Sequence, residues 1–215
     1  MHEADVQEHF GTLETQRHAA VLGMWVFLAS EVLLFTVLLT VYAIYRIMHP
    51  VGFAEGIAHN IEWLGSINTF ILLLSSYLVA HSVADLRGQK RGLATALLLL
   101  AVFLGVSFLG LKLAEYIAHF QEGIYPGGRG AFFQTHDERG LVMFFTLYYL
   151  TTGAHAFHVI VGLGVLLAMA WKVYRQRIGP NTAHVLETGT MYWHLVDIVW
   201  LVLWPLFYLT GGGAT

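Results

Sequence analysis

Five stretches of this chain are each long and apolar enough to cross a bilayer, and that constrains the fold more than any other feature. A spanning helix needs about 20 mostly apolar residues. Residues 19–45, 64–86, 93–119, 140–171 and 191–211 meet that length. In hydrocarbon every backbone N–H and C=O must be satisfied within the protein, so each stretch is expected as a helix. Composition agrees: 12% of residues are charged and 57% hydrophobic, against about 25% charged in a soluble domain. The expected architecture is all-α: a polytopic membrane protein with a five-helix transmembrane domain over 19–211. Residues 1–18 carry Glu3, Asp5, Glu8 and Glu14 and lack a basic segment followed by an apolar core. They read as an uncleaved, water-exposed tail rather than a signal peptide.

The breaks between spans are polar or turn-forming: "MHPVGFAEGIAHN", "DLRGQKRG", "QEGIYPGGRG" and "YRQRIGPNTAH". Proline and glycine gather there, as loops require. Pro205 lies inside the last span, where a kink is expected rather than an end. Orientation follows from Lys and Arg in the short loops. One side holds Arg17, Arg87, Lys90, Arg91, Lys172, Arg175 and Arg177; the other holds Arg46, Arg129 and Arg139. The amino terminus is therefore expected in the cytoplasm and the carboxyl terminus outside. Tyr45, Trp63, Trp171, Tyr174, Tyr192, Trp193 and Tyr208 sit near span ends, where aromatic anchors belong.

Several function classes drop out. The chain has no cysteine, which excludes disulfides, zinc–thiolate sites, iron–sulfur clusters and thiolate-bridged copper. Net charge is −3 with no basic tract, so nucleic acid is not an expected partner. No internal repeat is evident, which argues against the inverted-repeat transporter plan. No Walker, dinucleotide or nucleophile-elbow motif is present, and no Glu-x-x-His motif lies within a span, as a di-iron bundle would want.

What remains is a set of polar residues at membrane depth, where each charge is costly and raises a functional question. Glu31 falls near the middle of the first span, as a proton-carrying carboxylate or a buried acid bonded to a neighbouring helix. It is expected to face the interior and reach His155 or His158 of the fourth span, since a buried acid needs a donor. His155 and His158, three apart, share a helix face; metal ligation competes with a polar helix–helix contact eased by Gly153, Ala154 and Ala156. Lys112 and Glu115 form an i, i+3 pair that can neutralise itself. His194 and Asp197 form another near the inner end of the last span, where the carboxylate can orient the imidazole. Glu187 is expected to join that pair from the preceding loop. Structural locks are the expectation for these pairs.

The same segments resemble subunit III of the haem–copper oxidases. "FLASEVLLF" is similar to the family's Ser-Glu motif, and "SINTFILLLSS", with Asn68, Thr69, Ser75 and Ser76, to its Asn-Thr and Ser-Ser pattern. "FLGLKLAEY" resembles the segment ending in Glu-Tyr, with Lys112 where many members have Gln. "TGAHAFHVIVG" matches Thr-Gly-x-His-x-x-His-Val, and "ETGTMYWHLVDIVW" matches the last helix. The resemblance runs from about residue 19 to 209. It begins at the equivalent of the third helix of the seven-helix members, so the chain looks like the five-helix bacterial form. The lipid cleft made by the first two helices of longer members cannot be built by these five spans alone.

The resemblance implies a subunit without catalytic, cofactor-binding or metal residues of its own, although phospholipid is a candidate ligand. It would pack on a catalytic subunit I, which carries haems and copper and reduces oxygen to water, beside an electron-accepting subunit II. Its role would be to support proton uptake and protect the catalytic subunit. The setting is the bacterial plasma membrane and aerobic electron transport. Cytochrome c is the first expected donor; a quinol oxidase or a nitric-oxide-reductase-associated homologue is the alternative. From other classes come a stand-alone membrane metalloenzyme using Glu31, His155, His158 and His194, and a proton-coupled transporter.

Overall fold

The computed structural model describes residues 13–128, 130–135 and 139–209. Most of the expected tail, Arg129, and the last two residues of the fifth expected span lie outside them. The described residues form seven α-helices: α1 (Leu13–Met48), α2 (Pro50–His59), α3 (Glu62–Arg87), α4 (Arg91–Gln121), α5 (Phe132–Thr135), α6 (Arg139–Tyr174) and α7 (Ala183–Tyr208). Five of these, α1, α3, α4, α6 and α7, are long and apolar enough to span. The shortest of the five has 26 residues, about 39 Å at 1.5 Å per residue, against a hydrocarbon core of about 30 Å.

Helices α3, α4, α6 and α7 form the body of the bundle, with α3 against α4 and α7, and α6 against α4 and α7. Helix α1 leans on α6 and α7 from outside. Its exposed Trp25, Leu33 and Val37 form a continuous apolar face. The interior is aromatic: Trp193, Trp200, Phe108, Phe144, Phe145, Tyr148 and Phe207 are fully buried. Trp193 wedges between α4 and α6. A Cβ placed at Gly105 or Gly162 would meet its indole at 2.7 or 2.8 Å, so only glycine leaves room for it.

Two connections end their helices in the same way. Gln89 N–H donates to Leu86 O and Lys90 N–H to Asp85 O; Gln176 N–H donates to Val173 O and Arg177 N–H to Lys172 O. Each is a Schellman ending, with Gln89 (φ 63°) and Gln176 (φ 60°) at the left-handed position.

Three boundaries differ from the sequence expectation, the first being the start of α1 at Leu13, within the stretch read as a tail. The segment read as a loop after the first span contains α2. Pro50 opens it at the first helical turn, a position where the missing N–H costs nothing. The glycines that suggested a loop are packing surfaces instead: Gly52 and Gly56 are buried against α6. Helix α7 begins at Ala183 rather than 191, because residues 183–190 mix apolar Ala183, Val185 and Leu186 with His184, Glu187 and two threonines, which lowers hydropathy without ending the helix. Pro205 lies within α7, which continues to Tyr208.

A Cβ at Gly52 would lie 2.6 Å from the Leu141 backbone N and 2.8 Å from the Gly140 backbone C, atoms that cannot rotate away. Gly52→Ala is expected to cost about 1–3 kcal/mol, the usual range for overpacking. Gly23→Ala, with nothing within 4 Å of the new methyl, is the matched control. Thermal unfolding checks this: a midpoint lowered for Gly52→Ala and not for Gly23→Ala is the expected result.

Candidate functional site

Polar groups inside the bundle fall into three clusters. The most buried surrounds Lys112 on α4, whose side chain is 4% exposed while that of Glu115 is fully enclosed. The ammonium donates to Glu115 Oε2 at 2.9 Å, Tyr148 Oη at 2.8 Å and Tyr208 Oη at 2.9 Å. That uses all three of its protons. Tyr208 in turn donates to Glu115 Oε1 at 2.8 Å. The cation also lies 4.7 Å from the centre of the Tyr148 ring and 5.5 Å from that of Trp200. Helices α4, α6 and α7 thus meet on one neutral ion pair. Trp200 extends the cluster: its Nε1–H donates to Thr69 Oγ1 on α3 at 3.0 Å, and its ring lies 5.2 Å from His155 and 4.8 Å from Phe108.

The second cluster ties α1 to α6. His158 Nε2 and Glu31 Oε2 are 2.7 Å apart, and His158 Nδ1 is 2.7 Å from Ala154 O. A carbonyl can only accept, so Nδ1 carries a proton. One further proton then lies between Nε2 and the carboxyl group. The pair is neutral overall whichever side holds it. His155 does not join. It is buried, and neither ring nitrogen has a protein hydrogen-bond partner. Positions three apart differ by about 60° around a helix, and here that turns His158 to Glu31 and His155 to Trp200.

The third cluster ties α3 to α7. Ser76 Oγ and His194 Nδ1 are 2.6 Å apart. Asp197 is buried and leaves Oδ1 without a protein partner. Ser76 rather than Asp197 is the hydrogen-bond partner of His194. Glu187 is not in a loop and pairs elsewhere: it lies in the second turn of α7 and accepts from Arg87 Nη2 at 2.6 Å. Asn68 is fully buried on α3, and its amide makes no hydrogen bond to protein.

The sequence reading did not anticipate Tyr148, Tyr208 and Trp200 as partners. Tyr148 was legible only as an aromatic residue in an apolar run, and Tyr208 was read as an anchor near a span end; the structure instead buries Tyr208, with Tyr192 and Trp193, inside the bundle. Nothing local marks the Tyr148 and Tyr208 hydroxyls as the acceptors of an ammonium on another helix. Another pair, His59 Nε2 and Glu122 Oε2 at 2.8 Å, links the ends of α2 and α4. Among the described residues no three His, Asp or Glu side chains gather to hold a metal ion. The four residues of the metalloenzyme reading separate into the Glu31–His158 contact, His155 against Trp200, and His194 on Ser76. Chemically the arrangement offers neutral ion pairs and hydrogen bonds that each join two or three helices.

Comparison with known proteins agrees with the motifs. The family model described as cytochrome c oxidase subunit III matches residues 2–212. Cytochrome c oxidase subunit 3 of Synechocystis sp. is 30% identical over 192 residues, covering 88% of this chain and 75% of that one. The cytochrome bo(3) ubiquinol oxidase subunit 3 of Buchnera aphidicola is 27% identical, covering 92% of this chain and 97% of that one. Quinol oxidase subunit 3 of Bacillus subtilis is 25% identical, covering 90% and 88%.

Proposed function

We infer the function from one observation above the others: the chain belongs to the cytochrome c oxidase subunit III family, over nearly its whole length. It serves as the non-catalytic third subunit of a haem–copper terminal oxidase, a proton-translocating oxidoreductase of aerobic electron transport. Its partners are the catalytic subunit I, which holds the haems and copper, and an electron-accepting subunit II. Its place is the bacterial plasma membrane, with the amino terminus in the cytoplasm. The excess of Arg and Lys at the ends where α3 meets α4 and α6 meets α7 supports that orientation. In this role Glu31, Lys112, Glu115, His155, His158, Glu187, His194 and Asp197 fix helix positions, and Asn68 occupies the core of α3.

Cytochrome c is the proposed electron donor to the complex. Two relatives at 30% identity carry the cytochrome c oxidase name, while the quinol oxidase relatives reach 24–27%. The test is oxidation of reduced cytochrome c, against oxidation of a quinol, by the complex purified through this chain. Turnover with cytochrome c supports the reading, and turnover with quinol alone replaces it by the quinol oxidase.

The Ser76–His194 contact and Asp197 give a further expectation. Asp197→Asn is expected to lower the fraction of purified complex that keeps this subunit, with little change in oxygen consumption per haem in the complexes that do. A lock residue positions α7 against α3, while electron transfer runs in another chain. Normal retention with abolished turnover would assign the carboxylate a direct chemical role.

A further inference from the structure

One face of α4 carries a row of ionisable side chains: Lys112, Glu115 and His119 in the helix and Glu122 at its C-cap. The four positions fall within about 80° of the helix circumference, over a rise of about 15 Å. The row begins at the enclosed ion pair and ends in water. The side chains of Lys112 and Glu115 are buried, whereas that of Glu122 is 53% exposed. Glu122 meets His59 of α2, whose Nε2 lies 2.8 Å from its Oε2 and whose side chain is 32% exposed.

His119 stands between the two ends of the row. It is buried, with its ring centre 6.0 Å from that of His59 and 5.6 Å from that of Tyr148, whose hydroxyl accepts from Lys112. Glu115, four residues before it, is its neighbour on the helix surface. Phe145, Tyr148 and Tyr149 of α6 pack around the ring and keep it out of bulk water. Its Nδ1 is shielded from solvent and makes no hydrogen bond to protein. A buried polar atom of that kind is satisfied by an ordered water.

We propose that this row is a proton path, with His119 carrying protons between the aqueous face at His59 and Glu122 and the enclosed pair of Lys112 and Glu115. An imidazole accepts a proton on one nitrogen while it donates from the other, which suits it to shuttle protons near neutral pH. Each passage is an exchange. A proton taken up by the His59–Glu122 pair moves through His119 to Glu115. One of the protons that Lys112 or Tyr208 shares with Glu115 returns by the same route, so the enclosed pair stays neutral. The inner end is closed: past Lys112 stand Trp200 and Phe108, their ring centres 4.8 Å apart, and His155 behind them, with neither ring nitrogen bonded to protein. The path is half a channel, open only at the end of the bundle that carries α2. It lies within this chain and does not depend on the electron donor or on a partner subunit.

The test follows hydrogen–deuterium exchange in the intact complex by infrared spectroscopy. The Glu115 carboxylate stretch shifts as the Lys112 and Tyr208 protons bonded to it are replaced by deuterium. The band is assigned by its loss in the double variant Lys112→Met with Glu115→Gln. His119→Phe is expected to slow the exchange about a hundredfold, the lower end of the range for a positioned proton carrier. His155→Phe, which removes a buried imidazole behind the closed end, should leave the rate unchanged. His59→Gln with Glu122→Gln alters only the exposed mouth and should slow the exchange severalfold; it decides the matter if His119→Phe fails to assemble. An unchanged rate in His119→Phe, equal slowing by His155→Phe, or native exchange in the mouth variant would each overturn the proposal.

Discussion

Lys112→Met is expected to cost the bundle about 3–5 kcal/mol, the range for breaking a buried ion pair from one side. The reason is what remains. Glu115 stays enclosed, with only the Tyr208 hydroxyl left from the present cluster to bond its two oxygens. Tyr148 loses the donor now 2.8 Å from its oxygen. The burial penalty of the carboxylate is then unopposed. Removing both charges is a different experiment. Lys112→Met with Glu115→Gln leaves no buried ion, and replacing a whole buried pair is often near neutral. The expected order of stability is therefore native and double variant together, with either single variant well below. Thermal unfolding of the purified complex, with the fraction retaining this subunit, measures it. A double variant that falls by the sum of the two singles would show that the pair contributes no coupling.

Trp200→Ala is expected to be comparably damaging, by about 3–5 kcal/mol, the range for a large aromatic removed from a core. Trp200 is fully buried, and it touches every other helix of the main body. Its ring meets Phe108 of α4 and His155 of α6, and its N–H reaches Thr69 of α3. Trp200→Phe keeps most of the packing and loses one hydrogen bond, worth about 1 kcal/mol. The contrast between the two separates packing from polarity. Because Lys112 lies 5.5 Å from the Trp200 ring, the effects of Trp200→Ala and Lys112→Met should not add, as expected of neighbours. Additivity within about 0.5 kcal/mol would mean that the two act independently.

The five spans were legible because length and hydropathy decide them without reference to any other part of the chain. The pairing of Lys112 with Glu115 was legible for the same reason: it is local, set by helical spacing. Of the contacts between helices, that of Glu31 with His158 was legible, because a buried acid needs a donor and the two fall at similar depth; the others were not. Spacing places His194 beside Asp197, but it cannot reveal that Ser76, on another helix, is the hydrogen-bond partner of the imidazole. Spacing also places His155 and His158 on one face, yet a turn of about 60° is enough to send them to different helices. Helix α2 was hidden by its own composition. Pro50, Gly52 and Gly56 are loop signals when read alone, and become a helix start and a close helix–helix contact once α6 is present. The start of α7 was hidden because His184, Glu187 and two threonines lower the hydropathy of its first turns without ending the helix.

The central claim is that this chain is a structural subunit of a haem–copper oxidase whose interior charges hold helices together while the redox chemistry runs in a partner. It is tested most directly by stripping this chain from the purified complex and measuring iron, copper and oxygen consumption per haem in both fractions. The account predicts that the haems and copper stay with the remaining subunits and that the stripped core still reduces oxygen. Iron or copper leaving in one-to-one ratio with this chain, with oxygen consumption lost at once, would contradict it.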